Sequence, residues 1–129
     1  MFLNVKNDDG HVAPFIQLPC SAITPKCGMT MGLDAGKLVK ASGSSVPEFI
    51  CVEERDAAVS AGDLVTVVRV EKDTDYETVF SASAGSLDIG DKVTIASDGL
   101  RVTATSTNGV AEIVAMEGTA SGDTVIVRF

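Results

Sequence analysis

Tryptophan is absent from this chain, and tyrosine and histidine occur once each, as Tyr76 and His11. One histidine leaves no base for a serine or cysteine nucleophile, and no zinc set can be assembled from histidines. The three cysteines, Cys20, Cys27 and Cys51, are an odd number, and 20 and 27 are too far apart for a CxxC knuckle, so free buried thiols are expected. No glycine-rich segment carries the Lys-Ser/Thr ending of a phosphate loop. No apolar run approaches the roughly 18 residues that span a bilayer, and the start, Met1 to Asp9, has no basic segment followed by an apolar one. These absences predict a protein made and kept in a cytoplasm, with no membrane partner, no cofactor and no metal. They also make an enzyme the weakest expectation, and no catalytic residue is assigned.

Positive charge is scarce too. Ten Lys and Arg stand against eighteen Asp and Glu, a net charge of −8. Residues 1–40 carry Lys6, Lys26, Lys37 and Lys40 against Asp8, Asp9 and Asp34, a balance of +1, which leaves −9 for residues 41–129. An acidic body without a basic stripe repels phosphate backbones, so nucleic acid is disfavoured as a partner and none is expected.

What the chain does have is glycine, threonine, serine and valine, a composition of short strands and tight turns. Its 129 residues suffice for one domain with a core of Val, Ile, Leu and Ala. One phrase occurs three times: Ala61-Gly62-Asp63-Leu64-Val65-Thr66-Val67, Ile89-Gly90-Asp91-Lys92-Val93-Thr94-Ile95 and Ser121-Gly122-Asp123-Thr124-Val125-Ile126-Val127. Each reads as a turn entering a strand, with glycine at positive φ and aspartate bonding its own backbone. Val65, Val67, Val93, Ile95, Val125 and Val127 are then expected to face inward. A phase change at Val68-Arg69-Val70 suggests a bulge, or a strand whose halves face different layers. Because the context of Asp63, Asp91 and Asp123 repeats, turn stabilisation accounts for all three better than catalysis does.

The beginning differs. Pro14, Pro19 and Pro25 fall within twelve residues of an otherwise apolar stretch, which removes ladder donors and excludes a helix or a central strand. Residues 1–28 are therefore expected to be an extended N-terminal arm, lying either along its own domain or across a neighbouring subunit. Its apolar residues Val12, Phe15, Ile16, Leu18, Pro19, Ile23 and Pro25 are the candidate partner contacts. Residues 29–129 are expected to form a mainly β domain, a small β-barrel or β-tulip. Within it, Asp34-Ala35-Gly36 predicts a three-residue hairpin loop, and residues 53–59 a short helical turn. The alternating carboxylates of 71–77 predict a solvated connection, because the glycine and distal glutamate of a calcium loop are missing. Asn108-Gly109 predicts a hairpin that sets Val102 opposite Ala115 and Ala104 opposite Ile113.

The proline-rich arm with Ala22-Ile23-Thr24-Pro25-Lys26-Cys27-Gly28-Met29, then Gly36 to Gly43, Val67 to Val70, Val93 to Thr105, and Gly122 to Phe129, resembles the capsid decoration (cement) proteins of tailed bacteriophages. The resemblance covers nearly the whole chain in texture and order and rests on no single diagnostic motif. It implies a structural virion protein on the outer surface of an icosahedral head, at junctions of major capsid subunits, where it stabilises the expanded shell. It also implies synthesis in a bacterial cytoplasm, partnership with the major capsid protein and with copies of itself as a trimer, and no catalytic residues. The three cysteines have no place in such a role. A virion-displayed host-attachment or carbohydrate-binding module is the alternative, against which the scarcity of aromatics counts. A carrier domain is disfavoured because Lys37, beside the Asp34-Ala35-Gly36 turn, lacks flanking methionines.

Overall fold

A computed structural model describes residues 1–8, 10 and 13–129. Among them every regular element is a strand: β1 (Leu3–Asn7), β2 (Phe15–Pro19), β3 (Thr30–Asp34), β4 (Lys37–Lys40), β5 (Phe49–Cys51), β6 (Leu64–Arg69), β7 (Thr74–Val79), β8 (Lys92–Val93), β9 (Ala111–Met116) and β10 (Thr124–Arg128). They form two five-stranded antiparallel sheets, in the orders β1-β7-β10-β9-β8 and β2-β6-β5-β3-β4. The proline-rich beginning thus supplies an edge strand to each sheet, the position that tolerates missing donors.

All three Gly-Asp phrases are turns that enter strands, β6, β8 and β10. Gly62, Gly90 and Gly122 share φ values of 96°, 95° and 91°. The amide of the following aspartate closes each turn onto a carbonyl three residues back (3.0–3.1 Å), and its carboxylate accepts from that same residue's amide (2.9–3.0 Å). Glycine at the third position with positive φ is the geometry of a type II turn. A fourth turn of this kind, Lys26–Met29, has Gly28 at φ 77° and the closing bond from Met29 to Lys26.

The four turns reveal that the fold is written twice. Gly28 donates to the Cys51 carbonyl at 2.7 Å while the Cys51 amide donates to Met29; Gly90 and Asp91 do the same with Ile113. Gly62 and Asp63 clasp Cys20 as Gly122 and Asp123 clasp Phe80. Ser21 donates to the Leu38 carbonyl, and Ser81 to that of Val102. Parallel bridges Cys20↔Leu38 and Phe80↔Val102 complete the match. Hence β2, β6, β5, β3 and β4 correspond in order to β7, β10, β9, β8 and the segment around Val102. The pairs Pro19↔Leu64 and Val79↔Thr124 set an offset of sixty residues on the outer two strands. β1 lies outside this repeat, added to the edge of β7.

Each half encloses its own cluster. One gathers Phe80, Val93, Ile95, Ile113, Val125 and Val127 with Phe2 and Tyr76; the other gathers Cys20, Met31, Leu38, Phe49, Val65 and Val67. All six residues expected to face inward from the Gly-Asp strands are buried. The phase change in β6 has a simple cause: Val65 and Val67 belong to one cluster, while Val68 and Val70 pack against the other, with no break in register.

Four local expectations are corrected. Asp34 pairs with Lys37, so the β3–β4 loop has two residues, Ala35 and Gly36, both at positive φ (46° and 75°), as a type I′ turn requires. No helical turn forms at 53–59, where Arg55 and Val59 donate instead to the carbonyls of Pro25 and Ile23 at 3.0 Å. Residues 74–77 are not a solvated connection: β7 runs between β1 and β10, and Asp75 is buried with Arg128 Nε 2.7 Å from its carboxylate. Finally, Val102 bridges Ile95 and Phe80 and does not oppose Ala115, because β9 is flanked by β8 and β10. Asn108 does adopt positive φ, but Gly109 is needed for close approach: a Cβ there would lie 2.3 Å from the Lys92 carbonyl carbon.

Candidate interaction surface

The N-terminal strand is pinned at its start. The Phe2 amide donates to the Gly28 carbonyl at 2.9 Å, and the Met1 amino group donates to that of Leu100. The Phe2 ring is buried, 5.5 Å from that of Phe129, which in turn meets Tyr76 at 5.7 Å. Beyond that anchor, β1 crosses the edge of β7 with Leu3 and Val5 about half exposed (45% and 46%). At the start of β2, Phe15 is 71% exposed, a large apolar ring left in solvent.

Between these strands lies an apolar cleft of about 270 Å³, lined by Phe2, Leu3, Ala13, Phe15, Ile50, Cys51, Val68 and Tyr76 among others. Its two buried titratable groups stay neutral at ordinary pH. Burial pushes the Cys51 thiol up to about 11 and the Tyr76 phenol up to about 12. A protonated thiol is a poor nucleophile. The three cysteines are unpaired. Among the described residues no group of three His, Cys, Asp or Glu is arranged to hold a metal ion, and no helix is long and apolar enough to cross a membrane. The carboxylates of Asp63, Asp91 and Asp123 are engaged by their own turns. This arrangement can bury apolar surface and pair backbone.

The expected contact residues divide. Val12 lies outside the described residues. Phe15 stands outward, whereas Ile16, Leu18 and Ile23 are half-buried against the second cluster, Pro19 ends β2 half-buried, and Pro25 is buried. Most of the apolar content of residues 13–28 is therefore consumed by the chain's own core.

No family model matches the chain, and no curated protein matches it.

Sequence reasoning passed over Leu3, Val5 and Gln17, which share the outward surface with Phe15. The alternation Leu3-Asn4-Val5-Lys6 was the available signal, obscured by its short length. The Gly28 turn was passed over as well, because Met29 stands where the other turns have aspartate.

Proposed function

We propose that the chain is a capsid decoration protein, binding the outer surface of an icosahedral phage head at junctions of major capsid subunits and stabilising the expanded shell. The observation that carries this reading is the exposure of Leu3, Val5 and Phe15 on the two N-terminal edge strands of an acidic, all-β body, Leu3 and Phe15 lining one apolar cleft. Such edges suit attachment by burial and strand addition to a protein surface. The bridges Cys20↔Leu38 and Phe80↔Val102, which draw the open edges of each half toward one another, support the barrel or tulip form within this reading.

The test is co-sedimentation with empty heads expressed from the genes flanking its own. Deleting residues 1–28 would remove two edge strands and the buried Phe2 and Cys20, so substitutions at the surface are the cleaner perturbation. The expected result is binding to expanded but not to precursor heads, lost in a Leu3→Glu/Val5→Glu/Phe15→Glu variant whose melting temperature is unchanged. Absence of binding to either head, or undiminished binding by the variant, overturns the proposal.

A further inference from the structure

The duplication makes the two halves comparable strand by strand, and they differ at one edge. In the second half the outer side of β7 is covered by β1, with Leu3 opposite Glu77 and Lys6 opposite Asp75. In the first half the corresponding outer side belongs to β2, where Phe15 and Gln17 take the places of Asp75 and Glu77. Among the described residues no strand covers it. Cys20 exchanges bonds with Gly62 and Asp63 on the β6 side, so by the two-residue alternation Leu18 and Ile16 also bond toward β6. Phe15 and Gln17 then aim their N–H and C=O outward. Pro19, which has no N–H, falls on the same outward side. Among the described residues neither Phe15 nor Gln17 has a backbone partner there.

Sheet edges that stay solvated in a monomer carry devices against pairing: charge, proline, brevity, or a break in register. Three of the four edges are guarded by one. β4 bears Lys37 and Lys40, β8 is two residues long and begins with Lys92, and β1 bears Lys6 and shifts register between Asn4 and Lys6. β2, Phe-Ile-Gln-Leu-Pro, has no charge, its register from Phe15↔Val68 to Pro19↔Leu64 is unbroken, and its one such device, Pro19, stands at its end and leaves Phe15 to Gln17 open.

We propose that this edge is an interface between two copies of the chain, the β2 strands pairing antiparallel across a twofold axis. Outward residues must meet outward residues, which allows registers in steps of two, and the one that exchanges two full pairs of bonds while leaving Pro19 outside sets Phe15 opposite Gln17 of the second copy, Gln17 opposite its Phe15, and Ile16 opposite its own counterpart at the axis. That gives about four backbone hydrogen bonds and covers both exposed phenylalanines. An uncharged edge is complementary to itself, unlike the acidic outer side of β7, which takes a lysine-bearing strand. Pairing that uses the same strand on both copies closes at two, and so departs from the threefold association that the family resemblance implies. The inference does not rest on the capsid reading, although both use Phe15; pairing of copies leaves Leu3 and Val5 open to a shell, and its test needs no shell.

The experiment is sedimentation-velocity ultracentrifugation of the full chain at low and high salt, beside Gln17→Pro and Phe15→Lys. Proline removes the outward N–H, and lysine installs the charge that the other edges carry. Circular dichroism and the unfolding midpoint check that each variant is folded. The expected result is a dimer that tightens with salt, because screening relieves the repulsion between two copies of charge −8. Gln17→Pro removes two of the bonds per dimer and should weaken it by about thirtyfold. Phe15→Lys should weaken it as well. A wild-type monomer at both salts, a trimer, or a dimer that persists unweakened in both variants overturns the proposal. So does a monomeric wild type that takes up only another protein's extended segment.

Discussion

The four equivalent turns allow a substitution series with a built-in control. Gly62, Gly90 and Gly122 hold φ of 91–96°, and a Cβ placed on any of them meets nothing within 4 Å. Alanine at these positions therefore acts through backbone strain alone, on the order of 1–2 kcal/mol, partly offset by the smaller entropy of the unfolded chain, so each should cost about 1 kcal/mol. Gly28 has the same turn geometry but different surroundings: a Cβ there would lie 2.2 Å from Met1 Cγ and 2.7 Å from the Phe2 amide nitrogen. Gly28→Ala must push β1 away, break the bond from Phe2 to Gly28, and withdraw a buried phenyl ring that meets Phe129. Losing a buried aromatic costs about 3–5 kcal/mol, so this variant should lose roughly 3 kcal/mol more than the other three. Urea unfolding reads the cost from the midpoint at constant slope, and hydrogen exchange at residues 2–6 reads the detachment of β1. The equivalence of the turns is refuted if the three open glycines differ from one another by more than about 1 kcal/mol. The role given to Gly28 is refuted if it costs no more than they do.

Ala35 sits at φ 46° in the β3–β4 turn, where asparagine is better accommodated; Ala35→Asn should raise stability by about 0.5 kcal/mol, measured as an upward shift in melting temperature. Arg128→Met leaves the buried Asp75 carboxylate without its 2.7 Å partner and should lower the urea midpoint. Adding Asp75→Asn should recover part of that loss in a double-mutant cycle. In alkali, the folded state keeps protons on Cys51 and Tyr76, whose values are raised from 9 and 10 to about 11 and about 12, while the unfolded chain releases them first. The contribution of these two groups should thus be level below pH 9, fall from about 9 upward, and level off only near 12, with the buried Cys20 thiol, also raised, adding to the fall. The fall amounts to roughly 2–3 kcal/mol per group, and Tyr76→Phe should make it shallower.

How much of this is legible in the sequence depends on whether the determining contact is local. The Gly-Asp turns are legible because the glycine's φ and the aspartate's bond lie within four residues. At Lys26–Met29 the same turn is held by reciprocal bonds to Cys51, far along the chain, and nothing local marks it. β7 was obscured by its carboxylates, since a buried aspartate in a central strand makes sense only once Arg128, fifty-three residues away, is beside it. Asn108-Gly109 carries a strong hairpin signal, yet the Gly109 backbone pressed against Lys92 uses the pair otherwise. The proline spacing excludes a helix or a central strand over residues 14–19, but the expected extended arm is there an edge strand, β2, paired along its length with β6. Which of them face solvent depends on the partner β6 and the enclosed cluster, information that a single strand does not contain.

Duplication also separates what the fold requires from what it merely permits. Where both halves keep a feature, such as a buried residue clasped by a Gly-Asp turn (Cys20 and Phe80), structure accounts for it twice over. Where they differ at one position, the fold has shown that it accepts either residue, and the choice needs another cause. Phe15 and Asp75 occupy such a position. The aspartate is covered by β1 and paired with Arg128, whereas the phenylalanine is 71% exposed, although its equivalent shows that a polar residue fits that strand. Phe15 gives one side to the apolar cleft and leaves most of its ring in solvent, and that exposed part is what the proposed pairing between copies would cover.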